Sequence, residues 1–536
     1  MSERPLPHRA RVTAAWVFPA LVVLLMALRF VHLGGPVDDP NSLRQCNTVS
    51  GSREFARHGI DLLHPSVSWL GSYRHMIFEF PLPQALAAFL HRAFGFDPLW
   101  DRVVALTFFT LSLYWLHRLV RELADESTAR FTTFAYLLLP LGQYYSRAAT
   151  IDFAAQAFAI GFLYHGLLAM RGRALTHVAI AAACGVLTSW IKVPYLVPVM
   201  FPFLLSLLTS RRAAVWMRAG LVLSATSLGF AWWRLQMNAV NAAAPDWNWM
   251  PGFYKEIDPW WYYARQFPHL VERNDLMRLG RRLVVHVFTA PGLILTSFTL
   301  GWRGPEYSPG SASTPGVHQH APGPVVQAWV WMAGFGFFTL LYLPIEIGLE
   351  YTEVPVLAPA ALLIALGGSS ILQWARTRRM LPWVGAAMLA FPLIAITTPM
   401  RLNWYRVDTL RIRAGSAIQH RVPATELVVV VDHSSDFSDP RLLSRADRMG
   451  FALKAEHLTP ALLARLQGVG ARWVAWISQP GVARLTPPAF LDSLQVGEER
   501  ILENGRELGT LHLYWLGERV VPSDSYATHS GDRARP

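Results

Sequence analysis

Residues 151–170 read IDFAAQAFAIGFLYHGLLAM, a run in which Asp152 is the one carboxylate and neither Lys nor Arg occurs. A helix needs about 20 predominantly apolar residues to cross the hydrocarbon core of a bilayer. The stretch therefore predicts a membrane-spanning helix. Comparable apolar runs recur from Val12 to Pro399, so the fold is predicted to be a bundle of such helices.

The composition of the 536-residue chain agrees with this prediction. Its mean hydropathy is +0.26, 52% of its residues are hydrophobic and 16% are charged, whereas soluble globular proteins carry about 25% charged residues. A soluble enzyme is thereby excluded. The formal net charge of +12 does not indicate nucleic-acid binding, because the basic residues lie in short loops between apolar runs, where the positive-inside rule accounts for them.

Eleven apolar segments are interpreted as membrane helices. They cover residues 12–33, 102–120, 131–146, 151–170, 175–191, 193–210, 213–234, 282–301, 324–344, 354–374 and 381–399. The first follows Arg4, Arg9 and Arg11 and resembles a secretory signal, but no small-residue cleavage site follows it. We therefore interpret it as an uncleaved first helix.

Arginine is distributed unequally between the two sets of loops. With a cytoplasmic N-terminus and alternating helices, the cytoplasmic loops hold Arg118, Arg121, Arg130, Arg171, Arg173, Arg211, Arg212, Arg218, Arg303, Arg376, Arg378 and Arg379. The short turns on the other side hold Arg147 and Lys192. The positive-inside rule thus predicts a multi-pass inner-membrane protein whose C-terminal part lies outside the cytoplasm.

Residues 1–400 are accordingly predicted to form the membrane domain, with two long extracytoplasmic loops. The first loop, 34–101, contains the amphipathic stretch Pro83–Phe94, which is typical of a helix at the membrane surface. The second, 236–281, is rich in Trp and Tyr and fits an interfacial aromatic belt and a sugar platform equally well. The segment 303–323, rich in Gly, Pro and Ser, predicts a flexible cytoplasmic loop.

Residues 401–520 alternate between strand-like and helix-like patterns. Glu426–Val431 and Ala471–Ile477 are apolar runs typical of strands, and Thr459–Gln467 is amphipathic. This order predicts a small soluble α/β domain with βαβ-like connections, on the extracytoplasmic side. Residues 521–536 are predicted to be a disordered tail.

Polar residues at membrane depth are functional candidates, because each costs roughly 2.5–3.5 kcal/mol near a helix centre on insertion scales. In this topology they gather at the extracytoplasmic ends of the helices. That is typical of a site opening at the membrane surface, whereas a transporter places such groups near the midplane. The candidates are Asp38, Asp39, Arg44, Arg53, Glu79, Arg147, Asp152, Lys192, Glu346, Glu350 and Glu353.

Four short motifs on this side resemble those of the GT-C glycosyltransferases. They read Leu43-Arg44-Gln45-Cys46-Asn47-Thr48, Phe78-Glu79-Phe80-Pro81-Leu82, Tyr144-Tyr145-Ser146-Arg147 with Ile151-Asp152, and Thr188-Ser189-Trp190-Ile191-Lys192-Val193-Pro194. Their order is similar to the branch that contains the protein O-mannosyltransferases and the lipid A aminoarabinose transferase. Within it, the chain resembles a bacterial group with a Trp-Arg-Gln-x-Asp-Thr motif in the first loop.

The resemblance implies an all-α, GT-C-like bundle that moves a sugar from a polyprenyl-phosphate carrier to a glycan, lipid or protein acceptor at the outer face of the inner membrane. The donor phosphate needs cations, since Arg binds phosphate oxygens bidentately and Lys acts as a point charge. Arg44, Arg147 and Lys192 match that need, and Lys192 occupies the family's phosphate-binding lysine position. Acceptor binding is assigned to Asn47, Arg53, Glu350 and Tyr351.

A carboxylate must orient or deprotonate the acceptor, and here the sequence departs from the family. The family's first-loop aspartate falls on Asn47, whose neutral amide cannot accept a proton at useful pH. Glu79 matches a family glutamate that precedes a proline, and Asp152 matches the acidic residue of the second outside loop, so both are predicted to be catalytic. Asp39 is the substitute base to be tested. Asn47 also leaves open a degenerate protein that binds the carrier without transferring the sugar.

Several of these residues also have an interpretation without a catalytic or binding role. Arg147 and Lys192 are also typical of cations that anchor helix ends at the interface, and Asp152 of an N-cap. Glu346 and Glu350 lie four residues apart and favour a solvated helix end over a metal site; no cofactor is predicted and a divalent metal is not indicated. The alternative function is a transporter of lipid-linked glycans, although the sequence shows no inverted repeat in its favour.

Overall fold

The computed structural model describes residues 8–253, 255, 273–301, 322–346, 349–377, 381–433 and 436–517. The chain divides into two compact units. The first comprises Met1–Ser66, His75–Ala244 and Lys255–Asp408, and the second comprises Val67–Arg74, Pro245–Tyr254 and Thr409–Pro536. The predictions for the tail 521–536, for most of the loop 303–323 and for the part of the aromatic loop from 256 to 272 lie outside the described residues.

The first unit is helical. Its helices are α1 (His8–Ala27), α2 (Ser42–His58), α3 (Leu82–Phe94), α4 (Leu99–Leu123), α5 (Glu126–Leu138), α6 (Pro140–Tyr145), α7 (Asp152–Met170), α8 (Thr176–Lys192), α9 (Leu196–Leu208), α10 (Ala213–Ala242), α11 (Arg273–Arg282), α12 (Thr289–Ser297), α13 (Pro324–Glu346), α14 (Leu357–Thr377) and α15 (Leu381–Arg401). A π-helical turn, Leu283–Phe288, joins α11 to α12, and a 3-10 helix, Glu350–Val356, precedes α14.

Each predicted apolar segment coincides with helix, and the segment 131–146 divides into α5 and α6 at Leu139. Within the described residues, seven helical stretches are long and apolar enough to cross a membrane: Leu99–Leu123, Asp152–Met170, Thr176–Leu208, Ala213–Ala242, Asn274–Gly301, Pro324–Leu343 and Glu350–Ala375. This is the architecture of a multi-pass membrane protein. The count of eleven spans stays a prediction.

Contacts between the helices define two ends of the bundle. At one, here called the arginine end, Arg171 pairs with Glu122 of α4 at 3.1 Å, and Arg218 of α10 donates to the carbonyl of Ala169 at 3.0 Å. At the other, here called the loop end, Asn241 of α10 exchanges two hydrogen bonds of 2.8 Å with the backbone of Ile77. Polar contacts at both ends fit a bundle whose middle lies in hydrocarbon, where polar and charged groups are costly.

The interior of the bundle is built around α7 and α14. Of the apolar window in α7, 94% of the residues are buried, compared with 22% for α10. A helix that is hydrophobic on all sides belongs in the middle of a bundle. Gly367 of α14 permits the closest approach, because a Cβ there would lie 1.8 Å from the carbonyl oxygen of Leu295.

The first loop contains α2 and α3. Helix α2 ends at Gly59, whose φ of +107° is a conformation that suits glycine. The predicted amphipathic stretch forms α3, on which Leu86 and Phe89 are exposed by 38% and 58%, while Ala88 faces the interior. The large apolar side chains of α3 thus point away from the bundle, as expected of a helix that lies in a membrane surface.

The second unit is a five-stranded sheet with helices. Its elements are α16 (Thr409–Arg421), β1 (Leu427–Asp432), α17 (Arg441–Ala446), β2 (Gly450–Lys454), α18 (Pro460–Gly468), β3 (Ala471–Ser478), β4 (Gln495–Glu503) and β5 (Arg506–Trp515). The strand order is β2-β1-β3-β5-β4; β1 is parallel to β2 and β3, and β5 is antiparallel to β3 and β4. The helices α17 and α18 supply the crossovers that parallel strands need.

This confirms the prediction of a small sheet domain near the C-terminus. Two short segments far away in the sequence also belong to the unit. Gly450 donates to the carbonyl of Ser68 at 2.9 Å, and the ring of Trp69 packs edge-on against that of Phe437 with centroids 4.9 Å apart. Both segments, Val67–Arg74 and Pro245–Tyr254, lie within stretches that the sequence predicts to be loops of the membrane domain, whereas the structure includes them in the second unit.

Candidate active site

A pocket with a volume of about 160 Å³ lies at the loop end of the first unit. Parts of all four sequence motifs line it, namely Arg44, Phe78, Glu79, Ile151 and the segment Ser189–Pro194. The rest of the lining comes from α10 and α13. The lining residues there are Phe230, Trp233, Arg234, Met237, Leu341 and Tyr342.

Arg44 and Glu79 form an ion pair in the pocket wall. Arg44 lies in the first turn of α2, and Glu79 lies in the segment before α3, which is held by a hydrogen bond of 3.0 Å from Phe80 N to the carbonyl of Trp190. Burial alone would lower the pKa of Arg44, but the neighbouring Glu79 carboxylate raises it above its ordinary value. The Arg44 guanidinium is therefore held in its charged form by its neighbour.

Lys192 and Asp152 form a second ion pair, with Nζ 2.7 Å from Oδ1. Asp152 is the first residue of α7, and the N-cap position is occupied by Ile151. The same Oδ1 accepts a hydrogen bond of 2.7 Å from the Tyr195 hydroxyl, and the Lys192 ammonium lies 4.7 Å from the centre of the Tyr351 ring. The carboxylate and the two rings hold the lysine at the edge of the pocket.

The apolar part of the pocket is an aromatic cluster. The rings of Trp190 and Trp233 lie 5.0 and 5.2 Å from that of Phe80, all between centroids. The indole N–H of Trp190 donates to the carbonyl of Gly229 at 2.8 Å, which fixes this ring between α8 and α10. Aromatic side chains therefore form an apolar wall beside the cations that line the pocket.

Arg234 is a lining residue that the sequence analysis did not select. It lies on α10, is partly buried, and its Nη1 is 3.2 Å from the Met237 sulfur. The available signal was its place at the last position of the apolar segment 213–234. An arginine at the helix end that is predicted to be extracytoplasmic is an exception to the positive-inside rule, as are Arg147 and Lys192.

Arg147 lies in a buried network instead of the pocket lining. Its Nη2 is 2.6 Å from Asp38 Oδ2, and both side chains are at most 1% exposed. Asp38 also accepts a hydrogen bond of 2.9 Å from the Tyr144 hydroxyl and lies 3.6 Å from Arg102. Gln45, the neighbour of Arg44, donates to the Asp38 carbonyl at 2.8 Å. The network therefore fixes α2 against α4 and α6.

The other predicted residues of the first loop have separate surroundings. Asp39 accepts a hydrogen bond of 3.2 Å from Ser42 N at the start of α2, and its backbone bridges to Arg406. Arg53 stacks on the ring of Phe96 at 3.7 Å. Asn47 is partly buried on α2, three residues after Arg44 and thus on a neighbouring part of the same helix face.

Two predicted acceptor residues lie just before α14. Tyr351 is buried beside Lys192, and its ring centroid is 6.3 Å from that of Tyr145. Glu350 is partly buried, and its Oε2 has no hydrogen-bond partner among the described residues. Nearby Glu353 is fully buried and pairs with Arg282 at 2.8 Å. The side chain of Glu346 lies outside the described part of the chain.

The described residues contain no group of three or more His, Cys, Asp or Glu side chains that could hold a metal ion. The chemical character of the pocket is set by its cations, by one lining carboxylate and by its aromatic wall.

No protein-family model matches the sequence, and no curated protein matches it significantly. Solved structures do match. ArnT, the aminoarabinose transferase of Cupriavidus metallidurans, in a crystal structure bound to undecaprenyl phosphate, is 12% identical with a TM-score of 0.58, over 93% of this chain and 98% of that one.

Two structures of the Archaeoglobus fulgidus oligosaccharyltransferase are also similar. The complex with Zn and sulfate is 13% identical with a TM-score of 0.52, over 85% of this chain and 67% of the other. AglB with an inhibitory peptide and a dolichol-phosphate is 12% identical with a TM-score of 0.51, over 86% and 69%. The chain therefore shares the fold of these GT-C enzymes, which confirms the predicted helical bundle of GT-C type, while the count of eleven spans stays a prediction. These likenesses do not test the first-loop motif of the bacterial group.

Proposed function

We propose that the protein transfers a sugar from a polyprenyl-phosphate carrier to an acceptor at the membrane surface. The observation that carries this proposal is the pocket at the loop end, which Arg44, Lys192 and Arg234 line together with aromatic side chains. A ligand with an anionic head and an apolar chain matches both parts. ArnT bound to undecaprenyl phosphate and AglB bound to a dolichol-phosphate support this class of ligand.

The isoprenoid chain is proposed to leave the pocket between α10 and α13. Phe230 and Met237 of α10 and Leu341 of α13 line this side. These two helices are the least buried of the candidate spans, with 22% and 33% of their apolar windows inside the protein. A lipid tail placed there would remain in contact with the bilayer while its phosphate reaches the cations.

Transfer breaks the bond between the anomeric carbon and the phosphate oxygen, and forms a bond from that carbon to an acceptor oxygen or nitrogen. Arg44 and Lys192 are proposed to stabilise the charge that grows on the departing phosphate. The acceptor loses a proton, and Glu79 is proposed to receive it, because it is the candidate carboxylate that lines the pocket. Asp152 then acts as a positioning residue for Lys192.

The acceptor is proposed to approach past Asn47 and Tyr351. Asn47 lies one turn after Arg44 on α2, and Tyr351 borders Lys192. An amide and a phenol can orient a hydroxyl or an amine by hydrogen bonds without taking its proton. The acceptor class is a glycan, a lipid or a protein.

The loop end is proposed to face the outside of a bacterial inner membrane. The arginine end holds Arg118, Arg171 and Arg218, as the positive-inside rule requires of the cytoplasmic side. A lipid-linked donor would then be used on the side away from nucleotide sugars.

A protein that binds the carrier without transferring the sugar is the second candidate. Asn47, at the place of the family's aspartate, favours it, and Glu79 is already engaged by Arg44. This candidate and the enzyme share the donor pocket and differ only in the catalytic step.

The proposal is tested with the purified full chain in detergent, by native mass spectrometry with undecaprenyl phosphate and with the uncharged alcohol undecaprenol. We expect binding of the phosphate and little binding of the alcohol. Arg234→Ala should weaken phosphate binding by at least about 10-fold, because a charge-assisted hydrogen bond contributes roughly 1.5–3 kcal/mol. The matched control is Arg173→Ala at the arginine end, where the side chain is 52% exposed. Equal binding of the alcohol, or equal effects of both variants, would overturn the proposed donor pocket.

A further inference from the structure

We propose that strand β4 pairs antiparallel with β4 of a second copy of this chain, so that the second unit forms a symmetric dimer. This inference rests on the sheet alone and is independent of the proposed function. Strand β4 lies at the end of the sheet order, and within the described residues its single strand neighbour is β5. An unpaired strand edge offers backbone N–H and C=O groups to another strand.

The exposed side chains of β4 form a self-complementary series. Val496 and Leu502 are exposed by 58% and 44%, and Glu498 and Arg500 between them are exposed as well. In an antiparallel pair of identical strands centred on Glu499, each residue faces one equally far from the centre on the other side. Glu498 then faces the partner's Arg500, in the regular part of the strand between the register shifts at Gln495/Gly497 and Ile501/Leu502. Each contact occurs twice because the pair has two-fold symmetry.

Directly opposed residues of antiparallel strands interact, and apolar pairs and opposite charges stabilise such pairing. The charged side chains of β4 disfavour pairing with unrelated strands. Charged residues are a common protection of edge strands against such pairing. In the register centred on Glu499, the charge of Glu498 falls opposite that of the partner's Arg500 at two places. A shift by one residue would move Glu498 and the partner's Arg500 to opposite faces of the sheet.

The centre of the pair also has a compensating charge. Glu499 faces its own copy, and two carboxylates so close would repel each other. Arg421 of α16 lies 2.8 Å from Glu499, in an ion pair whose side chains are 43% and 42% exposed. In the dimer, the Arg421 side chain of each copy thus offsets the charge of its Glu499 carboxylate. Gly497, which faces the partner's Ile501, leaves room for that larger side chain.

The test measures the mass of the full chain in lipid nanodiscs by mass photometry. We expect a dimer for the native chain, and monomers for Glu498→Arg and for Arg500→Glu, because each change opposes like charges at two places. The chain with both substitutions should dimerise again, and an equimolar mixture of the two single variants should form mixed dimers. Arg506→Glu, beyond the end of β4, is the matched control and should remain dimeric.

A covalent measurement keeps the proposal testable if a variant folds poorly. Glu499→Cys places two thiols opposite each other and should give a disulfide-linked dimer under mild oxidation. Glu503→Cys, four residues from the centre, should not. The native cysteines, Cys46 and Cys184, are buried and contribute no background. A monomeric native chain, a double variant that stays monomeric, or equal cross-linking at both positions would each overturn the proposal.

Discussion

Lys192 and Asp152, 40 residues apart in the sequence, form an ion pair of 2.7 Å between the end of α8 and the start of α7. The Asp152 side chain is fully buried, whereas that of Lys192 is 15% exposed at the pocket. A buried carboxylate is tolerated only with a partner that offsets its desolvation. The two residues therefore have unequal roles: Asp152 holds the cation in place, and Lys192 is the member that a ligand can reach.

The first prediction concerns the different roles of Lys192 and Asp152. Lys192→Ala leaves the Asp152 carboxylate without its cation, which should cost roughly 3–5 kcal/mol of stability, and it should lower undecaprenyl phosphate affinity by at least about 10-fold. Asp152→Asn keeps the cation and should reduce affinity less. Thermal unfolding in detergent and native mass spectrometry measure the two effects. A larger affinity loss for Asp152→Asn than for Lys192→Ala would contradict the assigned roles.

The sequence was sufficient to locate the helices and most of the pocket. Each apolar run became helix because burial in a bilayer requires internal hydrogen bonding. The motifs around Arg44, Glu79 and Lys192 converge because they all follow or precede helix ends on one side of the bundle. Arg234 was missed because it is the last residue of the apolar segment 213–234, and an arginine at a helix end is typical of an interfacial anchor.

Contacts between residues far apart in the sequence could not be predicted from the sequence. Nothing in the motif Tyr144-Tyr145-Ser146-Arg147 indicates that Arg147 meets Asp38, 109 residues earlier. The strand β4 was missed for a different reason. Its residues, QVGEERILE, have three acidic side chains and one arginine, because an edge strand with one neighbour keeps much of its surface in water and lacks an apolar pattern.

The second prediction separates a scaffold from a binding role for Arg147. The Arg147–Asp38 pair is fully buried, so Arg147→Ala leaves an uncompensated carboxylate and should lower the free energy of unfolding by roughly 3–5 kcal/mol. Asp38→Asn should act similarly, although Arg102 nearby is then left with less compensation. We expect unchanged undecaprenyl phosphate affinity for the protein that remains folded. A tenfold loss of affinity with normal thermal stability would instead support the phosphate-binding role predicted from the sequence.

The third prediction concerns orientation in the membrane. Alkaline phosphatase, which is active only outside the cytoplasm, should be active when fused after Pro536. A fusion at Gly310 should be inactive there, and a fluorescent protein that folds in the cytoplasm should be bright at Gly310. The physical reason is the arginine distribution, which favours a cytoplasmic arginine end. Identical reports from both positions would mean that the number of spans between them is wrong by an odd number.

The fourth prediction concerns the catalytic carboxylate. Glu79→Gln keeps the shape of the side chain and removes the charge, so it should lower transfer by about 10²–10⁴-fold while undecaprenyl phosphate still binds. Asp39→Asn should have little effect, because an amide oxygen can also accept the hydrogen bond from Ser42 N. Asn47→Asp should be neutral or harmful if Glu79 is the base, since a second carboxylate nearby raises the pKa of the first.

The measurement is the pattern of envelope glycans in a deletion strain that expresses each variant at equal membrane levels. A large gain from Asn47→Asp would show that the protein has lost its base and binds the carrier without transferring efficiently. Full activity of Glu79→Gln together with loss of activity in Asp152→Asn would transfer the role of the base to Asp152, whose second carboxylate oxygen has no hydrogen-bond partner among the described residues.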